Sequence, residues 1–136
     1  MKILVVALLL SSCHLDAFEA FHAVEVPLDQ EVCFSPQEYC DSKIITAINT
    51  ATVSLDVAIY SLTHGSIADL LVEKSKSIPV RVIADRGQAK GKKALIAYLQ
   101  KAGVPVKFGK QRGIMHDKFV IIDKRMGETG SFNYSY

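Results

Sequence analysis

The sequence predicts a single α/β domain, a β-sheet with helix-covered faces. Two observations lead there. Stretches with period-two apolar alternation take turns with stretches of helical spacing, the pattern of strands joined through helices. At 136 residues with 49% hydrophobic side chains, the chain suffices for one domain with a modest core. The composition is otherwise that of an ordinary globular protein, which excludes disordered and collagen-like classes, and no repeat or low-complexity segment is visible.

Residues 1–20 read as an export signal. Lys2 supplies the basic start, Ile3 to Leu10 an apolar run too short to span a bilayer, and Ser11 and Ser12 the small residues that follow. Two processing routes are open. Cleavage near Ala17 or Ala20 is one. The other is a lipoprotein signal ending before Cys13, since Leu10-Ser11-Ser12-Cys13 resembles a lipobox and would leave Cys13 lipidated. The mature protein is expected to be periplasmic or secreted. Residues 21–31 read as a linker and residues 32–136 as the folded domain. Cys33 and Cys40 form an even pair in an exported chain, which favours a disulfide.

Within the domain, Ser35-Pro36-Gln37-Glu38 has the form of a capping box with proline at the first helical position. It predicts a helix to about Thr50, with Ile44, Ile45 and Ile48 on its apolar side. Val53 to Tyr60 alternates and reads as a strand, with Tyr60 assigned to core packing. Ser66 caps a predicted second helix to about Lys76, with Asp69 in its first turn. Pro79 to Asp85 is a second strand. Lys92 to Ala102 reads as a helix stopped by Gly103, followed by a strand at Val104 to Phe108. Met115 to Asp123 is a fourth strand, and Gly127 marks a turn before a short fifth.

Charge is unevenly spread. Between Arg86 and Lys118 nine Lys and Arg residues face Asp117 alone, although the net charge of the chain is only +2. Such a block suits an anionic partner, nucleic acid or lipid headgroups, or else a solvated helix face. Its end carries the chemistry. On a strand starting at Met115, period two places His116 and Lys118 on one face. An imidazole nitrogen can attack phosphorus and later leave, and a fixed ammonium can hold the non-bridging oxygens. Gly130 allows close backbone approach, and Ser131 and Asn133 add neutral donors for the same oxygens.

The arrangement His116-x-Lys118, four residues, Asp123, six residues, Gly130-Ser131-x-Asn133 resembles the motif of the phospholipase D superfamily. The likeness extends upstream to Cys33-Phe34-Ser35-Pro36, Ala58 to Thr63 and Val80 to Asp85, as in its small single-motif bacterial endonucleases. The resemblance implies a mixed β-sheet sandwiched between helices, and a two-step, metal-independent mechanism through a phosphohistidine, with no cofactor. It implies catalytic roles for His116, Lys118 and Asp123, the aspartate supporting the site rather than attacking phosphorus. It also implies that Lys118, Gly130, Ser131 and Asn133 bind the phosphate. Glu128 is a candidate for orienting a histidine through its ring N–H.

A second histidine must protonate the leaving oxygen, yet no second motif occurs, since His64 has no lysine two residues on. The expectation is therefore a homodimer sharing one active site, with His116 of each subunit facing across the two-fold. Family members continue past Asn133 with further structure, so the sheet is expected to be incomplete at the C-terminus. The leading reading is a nonspecific DNA or RNA endonuclease. Hydrolysis of phosphatidylcholine or cardiolipin is the alternative, and an inactive remnant the third.

Overall fold

The computed structural model describes residues 30–109 and 113–135. The leader at 1–20, Cys13, most of the 21–31 linker, and Lys110 and Arg112 of the basic block lie outside the described residues. The chain divides into Met1–Glu31 and Val32–Tyr136, and the second unit carries the fold.

Its elements run α1 (Cys40–Asn49), β1 (Leu55–Ile59), α2 (Gly65–Lys74), β2 (Val80–Ala84), a short 3-10 turn (Gln88–Lys90), α3 (Ile96–Lys101), β3 (Val106–Phe108), β4 (Lys118–Ile122) and β5 (Met126–Thr129). The sheet order is β3-β2-β1-β4-β5. The strands linked through α2 and α3 pair in parallel, while β4 pairs antiparallel with β1 and with β5. Helical crossovers return the chain in the same direction, and the tight β4–β5 hairpin reverses it. The sheet is thus mixed, as expected.

Alternation decides the core. Leu55, Val57 and Ile59 of β1, Val80, Val82 and Ala84 of β2, and Val120 and Ile122 of β4 share one face. They join one cluster with Ile44 and Ile48 of α1, Ile67 and Leu71 of α2, and Ile96 and Leu99 of α3. Burying each of the larger aliphatic side chains contributes about 1.5–3 kcal/mol. The opposite face carries Ala58, Ile83 and Phe119, and Ile83 is 46% exposed. Among the described residues, all three helices that contribute to the core pack on the first face. Lys74 of α2 also donates to Asn49 O and Ala51 O, satisfying carbonyls at the end of α1.

Several boundaries differ from expectation, each because a backbone group is engaged elsewhere. The helix expected from Pro36 begins at Cys40, because Tyr39 is left-handed (φ 51°) and interrupts a right-handed helix. The Ser35–Glu38 box closes a turn instead: Glu38 Oε2 accepts from Phe34 N–H and Glu38 N–H donates to Phe34 O. Cys33 and Cys40 flank that turn with their sulfurs at bonding distance and Cα atoms 5.8 Å apart. His64, not Ser66, occupies the N-cap of α2. The helix expected from Lys92 starts only at Ile96: Leu95 N–H donates to Leu62 O, while Leu95 O accepts the first helical bond from Leu99 N–H. Gly103 ends α3 as expected, at φ 89°, where glycine avoids the left-handed penalty.

Asp123 requires the largest correction. It lies beyond the C-terminal end of β4, at the opposite end of the strand from Lys118, and so cannot act in the chemistry. With Lys124 it forms a two-residue hairpin in which both residues have positive φ (53° and 58°), closed by Arg125 N–H to Ile122 O. The turn expected at Gly127 is therefore here, and Gly127 belongs to β5. The Asp123 carboxylate accepts the backbone N–H groups of Thr52, Val53 and Ser54 at 2.7–3.1 Å, together with the Thr52 hydroxyl. Those amides, Ser54 first, hold its pKa down at about 2.

A carboxyl depressed in the folded state contributes stability above its unfolded pKa and loses it as pH falls through the folded value. Urea unfolding of the wild type should therefore show stability declining between about pH 4 and pH 2. Asp123→Ala should be less stable at pH 7 and should lose that part of the acid dependence; matching pH profiles for the two proteins would refute the clamp.

Candidate active site

The ends of three strands meet at the site: the C-terminal ends of β1 and β2 and, because it runs antiparallel, the N-terminal end of β4. Asp85, just past β2, is 4% exposed. It accepts Gln88 N–H at 2.8 Å and Met115 N–H at 2.9 Å, and these bonds, Gln88 first, lower its pKa. Because Met115 N–H is spent on Asp85, the strand expected from Met115 starts only at Lys118. His116 sits just ahead of it.

His116 is exposed and Lys118 is 6% exposed. Lys118 Nζ donates to His116 O at 2.7 Å. The two side chains share the ring of Tyr60: the imidazole meets it edge-on with centroids 4.5 Å apart, and Lys118 Nζ lies 5.2 Å from its centroid. The two side chains thus meet through a tyrosine ring and do not share a strand face as expected: His116 lies ahead of β4 and lines the cleft with Phe119, while Lys118 lies on the core face. Lys118 pairs with Ile59 across the ladder and shares the core face of Val120 and Ile122. Burial of an ammonium is costly without a countercharge, and among the described residues no carboxylate forms an ion pair with it.

The remaining motif residues follow β5. Gly130 N–H and Thr129 Oγ1 both point to Lys118 O, at 3.4 and 3.3 Å, which holds the Gly130–Ser131 segment beside the lysine. A Cβ at Gly130 would meet only Phe132 N at 3.9 Å, so the space on that side is open. Ser131 is exposed. Asn133 is half-buried, and its Oδ1 has no hydrogen-bond partner among the described residues. Tyr134 then locks the segment to the β1–α2 connection, with its carbonyl accepting Thr63 N–H and His64 N–H at 2.8 and 2.9 Å.

Glu128 differs from expectation. Its Oε2 accepts the Tyr134 hydroxyl at 2.6 Å, so it holds the Gly130–Tyr134 segment rather than a histidine ring. Burial raises the Glu128 pKa, and burial followed by the Glu128 charge raises that of Tyr134 well above the ordinary phenol value. His64 is 3% exposed and caps α2, with Nε2 3.3 Å from Asp41 Oδ2, so it lies apart from the site.

A cleft of about 760 Å³ opens over the helix-free face. Ala58, Ile83 and Phe119 line it, with Asp85, Arg86 and Lys90 on one side and Gly113 to Asp117 on the other. His116 lines it, and Lys118, on the core face of β4, does not. Asp85 is missed in the sequence, and Tyr60, weighed there for the cleft, is assigned to the core. Their signal was present, since both directly follow parallel strands, where open α/β sheets place their sites.

Comparisons with known proteins show the family and the fold. The family model described as "Cardiolipin synthase, PLD-like domain" matches residues 44–136. A phospholipase D of Rickettsia bellii is 34% identical over 104 residues, covering 76% of this chain and 52% of the relative. A mitochondrial cardiolipin hydrolase of Chlamydomonas reinhardtii is 35% identical over 95 residues, covering 69% of this chain and 43% of the relative. The chain thus spans about half the length of the curated relatives it matches. Among solved structures, the phospholipase D family member Nuc of Salmonella typhimurium superimposes with TM-score 0.69 at 31% identity, covering 74% of this chain and 68% of that one.

The Glu128–Tyr134 pair gives a test of the site's scaffold. An acid whose folded pKa is raised costs stability as pH climbs from its unfolded value through the folded one. Glu128→Gln keeps an acceptor for Tyr134 and removes that cost, so its thermal midpoint should exceed the wild type's at pH 7 and converge with it below about pH 4. A lower midpoint at pH 7 would contradict this account.

Proposed function

The chain belongs to the phospholipase D superfamily, a superfamily of phosphodiesterases, and we propose that it cleaves phosphodiester bonds in DNA or RNA with little sequence preference. The observation that carries the reading is the nearly buried ammonium of Lys118, unneutralised by any carboxylate among the described residues and set beside the open imidazole of His116. A phosphodiester supplies the missing negative charge.

In the proposed mechanism His116 attacks phosphorus and the bond to the leaving oxygen breaks as the P–N bond forms. Lys118 holds the non-bridging oxygens and offsets the charge that builds on them, with Ser131 and Asn133 as further donors. Since His64 is sealed at the α2 cap, the leaving oxygen takes its proton from His116 of the partner subunit in a homodimer. Water then attacks the phosphohistidine, returns a proton to that second imidazole and releases His116. The mechanism needs no metal or cofactor.

The cationic residues Arg86 and Lys90 on the cleft wall suit the phosphates of a nucleic acid. A second reading, hydrolysis of phospholipid diesters, is supported by the relatives called phospholipase D and cardiolipin hydrolase. The site of action proposed is outside the cytosol, periplasmic or secreted, as the leader and the Cys33–Cys40 pair favour.

Purified protein incubated with plasmid DNA, RNA and phosphatidylcholine vesicles, each with chelator, should cleave the nucleic acids. His116→Ala should lose activity by roughly a thousandfold or more, and Lys118→Met by about a hundredfold or more. Equal activity of wild type and His116→Ala would sink the reading, and cleavage of the vesicles alone would move it to lipid.

In non-reducing mass analysis Cys33 and Cys40 should be found joined. Reducing that eight-residue loop should cost about 2 kcal/mol of unfolding free energy in denaturant titrations. Two free thiols in the exported protein would remove this support for the localisation.

A further inference from the structure

Two depressions on the molecule share a wall. The larger is the His116 cleft. The smaller, about 220 Å³, is lined by Ala89, Ile96, Ala97, Gln100 and Phe108, and Arg86 and Lys90 line both. We propose that the smaller pocket receives one base of a single-stranded nucleic acid flanking the scissile phosphate, with Arg86 and Lys90 holding the phosphate between. The inference rests on the phosphodiesterase reading and names the substrate class that reading would take.

The lining suits a base in each respect. Phe108, at the end of β3, offers an aromatic wall on which any base can pack, and the Arg86 guanidinium already lies 5.8 Å from its ring centroid. Ala89 and Ala97 are small and leave room between the 3-10 turn and α3. Gln100 presents both a donor and an acceptor to a base edge. The volume suits a single planar ring system and falls below that of sites enclosing a larger ligand. An acyl chain would need a longer apolar channel, and here two cations stand on the shared wall. The sequence from Arg86 to His116 contains no carboxylate, so nothing on these segments repels the backbone of a nucleic acid. Asp85, the acid nearest in sequence, has both oxygens engaged by backbone N–H groups.

Ala97 is exposed on α3 and lines only the small pocket, so Ala97→Phe plugs it from the solvent side; Gln100→Ala, also exposed, serves if the plug disturbs folding. Two measurements are made on the full chain: anisotropy with a fluorescein-labelled single-stranded oligonucleotide, and hydrolysis of that oligonucleotide beside bis(4-nitrophenyl) phosphate. Binding of the oligonucleotide should weaken about tenfold in Ala97→Phe, the loss expected for one stacked base. The ratio of kcat/KM for the oligonucleotide to that for the small diester should fall by about the same factor.

Unchanged oligonucleotide binding in both variants would overturn the proposal. So would an equal loss on both substrates, or an effect confined to phosphatidylcholine vesicles. A wild type that turns over neither diester would defeat the nuclease reading, while the anisotropy comparison would still decide the pocket.

Discussion

The register of β4 against β1 is the constraint on which the site depends. Leu55 pairs with Ile122 and Ile59 with Lys118, so the ladder sets the lysine at the mouth of the sheet with its stem in the core. A slip of one residue would turn Lys118 to the opposite face and bring Phe119 into the core. Asp123 secures the ladder at its far end by gathering three amides of the α1–β1 connection. The four residues between Lys118 and Asp123 therefore measure a strand: Phe119 to Ile122 fill the ladder, and the two charged residues stand about 17 Å apart at its ends. The spacing in the motif is a structural ruler.

The charges around the site leave the ammonium of Lys118 without a carboxylate partner among the described residues. Asp85 turns its carboxylate to backbone amides and thereby fixes the segment carrying His116. Glu128 turns its carboxylate to a buried phenol and thereby fixes the segment carrying Ser131 and Asn133. The two acids shift in opposite directions because one is surrounded by donors and the other by apolar atoms. Neither neutralises Lys118. Two scaffold carboxylates thus hold the segments that carry the candidate site residues without pairing with Lys118.

Much of this was legible. The order of strands and helices, the stop at Gly103 and the apolar face of each helix follow from local periodicity. The motif singled out His116, Lys118, Ser131 and Asn133 as candidates, and the structure gathers them near the ends of β1 and β4. What misled was competition for backbone groups by distant partners. Ser35 and Glu38 have the residue types of a helix start, but Tyr39 is left-handed and the box closes a turn. Met115 has strand character, but its N–H belongs to Asp85, thirty residues away. Tyr60 reads as core because its segment alternates, yet beyond Ile59 it becomes the surface on which imidazole and ammonium meet.

By itself the sequence determined the α/β class, the residue types of the site and the kind of reaction they suit, because periodicity and motif spacing are local properties of the chain. The tertiary structure alone decided that Asp123 clamps a hairpin, that Glu128 serves Tyr134, and that Arg86 and Lys90 form a wall shared by two depressions. Each of these depends on which distant groups satisfy one another once the strands have paired, and residue order does not encode that pairing in any short window.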